Sequence, residues 1–286
     1  MFHGWTRWLC CCCVCLPLWL HGDERELALA VVGPTAPQVQ EFAASLKAAL
    51  PASCRLLPEP QADSVLIALG DEAFRAHLLH PGPLIGVYVS RHQLDAARAA
   101  GCRCSGIYRE SPGEAQVALL KLLFPQARRI GVLLGEGDAP VDALFSDAYL
   151  LKQRRLSAPR PLAAQLSDML PNIDVLLVMP SLALLDAADA RLLLLGSYRQ
   201  RVPLIGPDAA YVNSGSLASA YPATDALINS TLSLLDDWRS SDRLPAPRYA
   251  VPTVAVNPHV ARSYGVAADQ EQLQSELQAR FTETDQ

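Results

Sequence analysis

The residues with the most chemistry to offer are three histidines, a cysteine pair and a glycine–acid loop. His77 and His80 stand at i and i+3 on a predicted helix, with His92 nearby in sequence, a spacing that could bring two imidazoles to one metal. Both also occupy the last turn before Pro81-Gly82, where the carbonyl end of a helix favours His without any metal. Cys102-Arg103-Cys104 offers two thiols, but redox pairs are ordinarily spaced CxxC and a zinc site needs more ligands. The plainer reading is loop cysteines or one structural disulfide. Gly135-Glu136-Gly137 follows an apolar run, yet it lacks the third glycine of a dinucleotide loop and puts an acid where a pyrophosphate would sit. The chain has no GxxxxGK phosphate loop, and Asn213-Ser214-Gly215-Ser216-Leu217 does not fit the GxSxG elbow of hydrolases. The expectation is no metal, no cofactor and no enzymatic activity.

What remains is a set of polar residues that each follow a predicted strand by a few positions: Thr35, Asp71, Ser90, Arg91, Glu136, Asp138, Ser181, Asp208 and Tyr211. Open parallel sheets bind ligands beyond the carboxyl ends of their strands, which makes these the candidate ligand-binding residues. Any one of them is equally well a helix cap or turn residue, Asp71 and Ser181 above all. Arg91 suits an anionic group such as a carboxylate, with a surface salt bridge as its ordinary alternative. The sharpest expectation is that Arg91 and at least one of Glu136 and Asp138 line a shared cleft and take opposite charges of a zwitterionic, amino-acid-like ligand.

The elements that would position these residues alternate between strand and helix. Leu27 to Val32 is a continuous apolar run, followed by Val39, Phe42, Leu46 and Leu50 at helical spacing. Arg55–Leu57, Val65–Leu69, Leu84–Val89 and Ser105–Tyr108 give further strands. A second series opens at Ser111-Pro112-Gly113-Glu114, with Ser as the predicted N-cap and Pro at the first helical position. It continues with a strand over Ile130–Leu134, a helix over Val141–Arg155, a strand over Asp174–Met179, a helix over Leu182–Arg199 and a strand over Val202–Ile205. Strands apolar on both faces and separated by helices predict parallel sheets covered on both sides. Two successive series of similar size predict two lobes.

The 286 residues are 50% hydrophobic and include 22 Pro, enough for one large domain or two ordinary lobes. A net charge of -5 argues against a nucleic-acid surface. At the N-terminus, Arg7 precedes an uncharged run from Trp8 to Leu20, which ends at His21-Gly22-Asp23-Glu24. A basic start, a short apolar stretch and a polar border predict a secretory signal peptide over residues 1–22. An uncleaved anchor is the alternative. Cys12-Cys13-Val14 does not supply the small-residue approach to Cys15 that a lipid anchor needs. Five of the eight cysteines lie in this leader, leaving Cys54, Cys102 and Cys104 to the mature chain.

Several stretches, in order, resemble the periplasmic substrate-binding components of ABC transporters, in the branch of uncharacterised and tryptophan-binding-like members. They are Leu119–Leu133, with its helix–Pro–strand junction, Cys104-Ser105-Gly106-Ile107, Asp174–Val178, Val202–Gly206, Gly215–Tyr221 and Val256–Val266. The resemblance implies a type I periplasmic-binding fold: two Rossmann-like α/β lobes with parallel sheets, three crossovers and an interlobe cleft. By that pattern residues 23–110 plus 219–247 form lobe 1, and 111–218 plus 248–286 form lobe 2. It also implies a periplasmic location, a small-molecule ligand and a membrane permease as partner. The chain departs from the family at Ser90-Arg91, where an Asp-Pro turn is usual, and at Gly101-Cys102-Arg103. Both departures fall where ligand contacts are expected, so the family's ligand does not carry over. A sensory or scaffold protein of the cell envelope that keeps the same fold is the alternative function.

Overall fold

A computed structural model describes residues 27–35, 37–135, 138, 140–156, 161–182, 185–241 and 243–282. The predicted leader and Glu136 lie outside the described residues.

The first sheet is built from β1 (Leu27–Val32), β2 (Cys54–Leu57), β3 (Val65–Leu69), β4 (Leu84–Val89) and β5 (Cys104–Tyr108). Its order is β2-β1-β3-β4-β5 and every pairing is parallel. Helices α1 (Pro37–Ala49), α2 (Gly70–Ala76) and α3 (Arg91–Ala99) make the crossovers. Alternate strand residues face opposite sides, which is why strands apolar throughout are buried on both. Leu29, Ile67, Ile85 and Ile107 pack with Phe42 and Leu46 of α1, whereas Leu66, Ala68 and Val89 pack with Phe74 of α2 and Leu94 of α3.

The second sheet contains β6 (Arg129–Leu134), β7 (Leu150–Arg155), β8 (Val175–Val178), β9 (Leu204–Ile205), β10 (Ala218–Tyr221) and β11 (Thr253–Val256). Its order is β11-β10-β9-β8-β6-β7, parallel except for the antiparallel β10–β11 pair. One face packs against α4 (Gly113–Leu123), the other against α5 (Leu162–Met169) and α6 (Ala187–Arg199). The short α7 (Ala209–Ser214) follows β9. The chain leaves β10 for α8 (Thr224–Ser241), whose Leu227, Ile228, Leu234 and Leu235 cover the first sheet beside α1. Arg248 still borders β5, pairing with Ile107, before the chain returns to β11. Then α9 (Pro258–Ser263) and α10 (Gln270–Thr282) close the second unit, Ala261, Leu273 and Leu277 joining its core. The chain thus passes between the sheets three times: after β5, after β10 and before β11. Because β10 pairs in the second sheet and Arg248 borders the first, these last two passages fall after Tyr221 and after Arg248.

Three local expectations are corrected. Residues 141–155 are not a helix but a 3-10 turn at Asp142–Leu144 followed by β7, which pairs with β6 over six residues. Strand pairing overrides helical propensity there, and Lys152, Arg154 and Arg155 are the charges that suit an edge strand. α6 starts at Ala187 because the Asp186 carboxylate caps Asp189 N, while Pro180–Leu182 form a separate 3-10 turn. Pro112 rather than Ser111 occupies the N-cap of α4, the helix beginning one residue later than the Ser-Pro signal suggested. Among the described residues no helix is long and apolar enough to cross a membrane.

Candidate functional site

In the first sheet the strand ends are tied together by a single carboxylate. Gly70 takes φ +80°, a left-handed conformation that costs a residue without Cβ little, so β3 turns directly into α2 and Asp71 falls in its first turn. Asp71 accepts from Ser90 N, just after β4, at 2.7 Å and from Arg109 Nη1, just after β5, at 2.6 Å. Arg109 Nη2 reaches Glu110 at 3.3 Å, and Glu110 Oε2 accepts from Arg91 N at 2.9 Å. Asp71, Arg109 and Glu110 are each less than one-fifth exposed. Burial pushes the Glu110 carboxyl above its ordinary range, with the Arg91 N–H and the Arg109 guanidinium pulling the other way.

Tyr88 precedes Ser90, one member of this network, by two residues. The β4–β5 register shifts between Val87 and Val89, so Tyr88 is the bulged residue, and it takes φ +59°. A bulky residue in the left-handed region is strained, and such strain gathers at functional positions. It keeps 39% of its surface exposed. Burial raises its hydroxyl above the ordinary tyrosine value, and the next influence is the Asp208 carboxylate beyond β9, ahead of Arg109, Glu110 and Asp71.

Asp208 is held in the second unit by two devices. Its carboxylate accepts from Tyr211 N at 3.0 Å, capping α7, and burial raises it above the usual carboxylate range. Just before it, the carbonyls of Gly206 and Pro207 both accept from Gln116 Nε2, at 3.2 and 3.4 Å. The same fully buried amide donates to Ala220 O at 3.0 Å and accepts from Ala220 N at 3.3 Å. Gln116 thus locks the β9 end to the β10 end.

The other predicted residues divide into separate settings. Ser90 caps α3, accepting from Gln93 N. Arg91 bonds Asp95 at 3.4 Å and Tyr249 Oη at 3.1 Å, beside the third passage between sheets. Tyr108 donates to the same Asp95 at 2.8 Å and packs its ring 4.8 Å from that of Tyr249. Asp138 accepts from Gly135 N at 2.7 Å and from Ser181 Oγ at 2.5 Å, and Arg155 bonds the Gly135 and Asp138 carbonyls. Arg91 and Asp138 are each paired within their own surroundings, and no contact joins them among the described residues. Tyr211 is 5% exposed, packed in an apolar cluster with Leu182, Leu193 and Val202, where burial pushes its hydroxyl up to about 12. Thr35 is exposed in the turn after β1.

Of the nine predicted residues, Asp71, Ser90 and the backbone of Arg91 are brought together, while Asp208 caps α7 in the second unit. Arg109, Glu110, Tyr88 and Gln116 were missed. Arg109 and Glu110 follow β5 directly, so the strand-end rule would have found them. Tyr88 sits inside the apolar run Leu84–Val89, where the pattern reads only as strand. Two cavities, of about 290 Å³ beside Phe145 and Tyr149 and about 270 Å³ beside Cys54 and Arg239, lie away from these strand ends. Among the described residues no group of three or more His, Cys, Asp or Glu could hold a metal ion. His77 Nδ1 lies 2.8 Å from Ala73 O, and His80 Nε2 lies 2.9 Å from Ser64 O.

No family model matches the sequence, and no curated protein matches it. Solved structures do resemble it. A substrate-binding protein with adhesive properties from Clostridium difficile, in its ligand-free, open form, aligns with TM-score 0.62 at 14% identity, covering 87% of this chain and 97% of that one. The ABC domain from Streptococcus pneumonia in complex with L-Trp gives TM-score 0.56 at 13% identity, over 87% and 98%. A conserved domain protein from Vibrio cholerae gives 0.54 at 16%, over 88% and 98%. At these identities the likeness concerns the fold: two sheets of mostly parallel strands with flanking helices, the type I periplasmic-binding arrangement.

Proposed function

We propose, from that fold, that this chain is the exported solute-binding component of an ABC-type transport system. It holds a small molecule between its lobes and presents it to a membrane permease, and it carries out no reaction. The observation that carries this reading is the arrangement of two mostly parallel sheets joined by three passages; within it Tyr88 is a strained, exposed aromatic on a bulge two residues before Ser90, whose N–H the Asp71 carboxylate accepts. Strain of this kind persists where the surroundings hold it, and bulges that re-aim a side chain are common beside ligand sites. In this reading residues 1–22 are removed on export, leaving a chain that starts near Asp23. The lobes exchange α8 and the β11 region as the resemblance implies. Asp71, Ser90, Asp208 and the missed Tyr88, Arg109 and Glu110 form the ligand-facing set.

The solved structure in complex with L-Trp makes amino-acid-like solutes the first to test. A thermal-melting panel of amino acids and sugars at millimolar concentration checks the reading. A solute present at 100 times its dissociation constant adds about 2.7 kcal/mol of stability, a rise of several degrees. A panel with no shift would favour the second reading, an envelope sensor or scaffold that keeps the fold. That alternative draws on one specific observation: both terminal nitrogens of Arg109 are already engaged inside the chain, Nη1 by Asp71 and Nη2 by Glu110.

A further inference from the structure

Cys102 and Cys104 form a second chemical site, independent of any ligand. α3 ends in a tight reversal: Cys102 N donates to Ala97 O at 3.0 Å, and Gly101 takes φ +90°, open to a residue without Cβ. The chain then enters β5 at Cys104, so both cysteines lie against the same apolar cluster under α3, with Leu94 and Ala97. The Cys104 thiol donates to Cys102 O at 3.6 Å. Cys102 is partly exposed and Cys104 is 4% exposed.

The third mature cysteine is out of reach. Cys54 lies in β2, at the opposite edge of the sheet from β5, with β1, β3 and β4 between. Four strand spacings amount to about 19 Å, whereas the Cα atoms of a disulfide lie at most about 7 Å apart. Within the folded first unit, each of Cys102 and Cys104 has the other as its partner.

We propose that Cys102 and Cys104 are a vicinal dithiol that a disulfide-bearing oxidant converts to a reversible Cys102–Cys104 bridge at the α3–β5 corner. The partly exposed Cys102 reacts first: its thiolate attacks one sulfur of the oxidant, forming a mixed disulfide and releasing one thiolate. Cys104, deprotonated in the step, then attacks the Cys102 sulfur, closes the bridge and expels the second thiolate. Two protein thiols lose two electrons and two protons, and the oxidant is reduced to two thiols.

The test treats the purified full chain with oxidised glutathione, blocks free thiols with iodoacetamide and digests with trypsin. Cleavage after Arg98, Arg103 and Arg109 puts Cys102 in residues 99–103 and Cys104 in residues 104–109. The bridge then appears as these two peptides joined, two hydrogens lighter than their thiol forms together. The joined pair is expected to dominate in the natural chain and in Cys54→Ser alike. Cys104→Ser is expected to stop at a Cys102–glutathione adduct, and dithiothreitol to return both natural peptides separately alkylated. Three results would overturn the proposal: both peptides alkylated after oxidation, a lasting glutathione adduct on Cys102 with Cys104 present, or Cys102 joined to any other cysteine.

Discussion

Tyr88 and Glu110 are the residues where the local chemistry departs most from the ordinary. The left-handed backbone at Tyr88 costs any residue with a Cβ roughly 1–2 kcal/mol, and glycine escapes it. Tyr88→Gly is therefore expected to be more stable than Tyr88→Ala by about 1 kcal/mol, read from urea denaturation, although both lose the ring. Equal stabilities would mean that the backbone there is not strained. Glu110 supplies a pH signature. Its carboxyl binds a proton more tightly folded than unfolded, because burial raises it from its ordinary 4.5. A group raised in this way contributes stability that is fully present below its unfolded value and lost as pH rises through its folded one. Glu110→Gln removes that loss, so its stability relative to the natural chain should grow as pH climbs from 4.5 through the raised value. A difference that stays flat across that window would show the folded and unfolded values to be alike. The place of Glu110 just after β5 is legible in the sequence, but neither its burial nor the bulge at Tyr88 is, because both are set by neighbours far along the chain: α3 for Glu110 and β5 for Tyr88.

At the scale of elements, the first sheet depends on two facing glycines. Gly86 of β4 sits opposite Gly106 of β5, and a Cβ at position 106 would come within 2.1 Å of the Gly86 carbonyl oxygen. A backbone oxygen cannot swing aside as a side chain can. Gly106→Ala should part β4 from β5 and destabilise by about 3 kcal/mol, visible as a lowered urea midpoint; an unchanged midpoint would contradict the close approach. The same strands show how far patterning reaches. Runs apolar at every position, such as Val65–Leu69 and Ile130–Leu134, are strands buried on both faces, as their composition predicts. β7, Leu-Leu-Lys-Gln-Arg-Arg, reads as helix because an edge strand needs only one partner and carries its charges outward. Its identity comes from six residues of register with β6, which no local pattern contains.

At the scale of the molecule, two mostly parallel sheets are joined by three passages of the chain. The alternation of strand and helix made that architecture readable, and so did the ordered family-like stretches. Arg91 and Asp138, expected with Glu136 to offer opposite charges to one ligand, are each bonded locally, Arg91 to Asp95 and Tyr249, Asp138 to Gly135 and Ser181. If the chain binds a solute between its lobes, binding must favour the closed arrangement, because a solute touching both lobes has higher affinity for the state in which both are within reach. Small-angle X-ray scattering on the mature chain tests this most directly, with and without a solute that raises its melting temperature. The expected result is a smaller radius of gyration at saturation; a bound solute that leaves the radius unchanged would contradict a two-lobed binding protein that closes on its ligand.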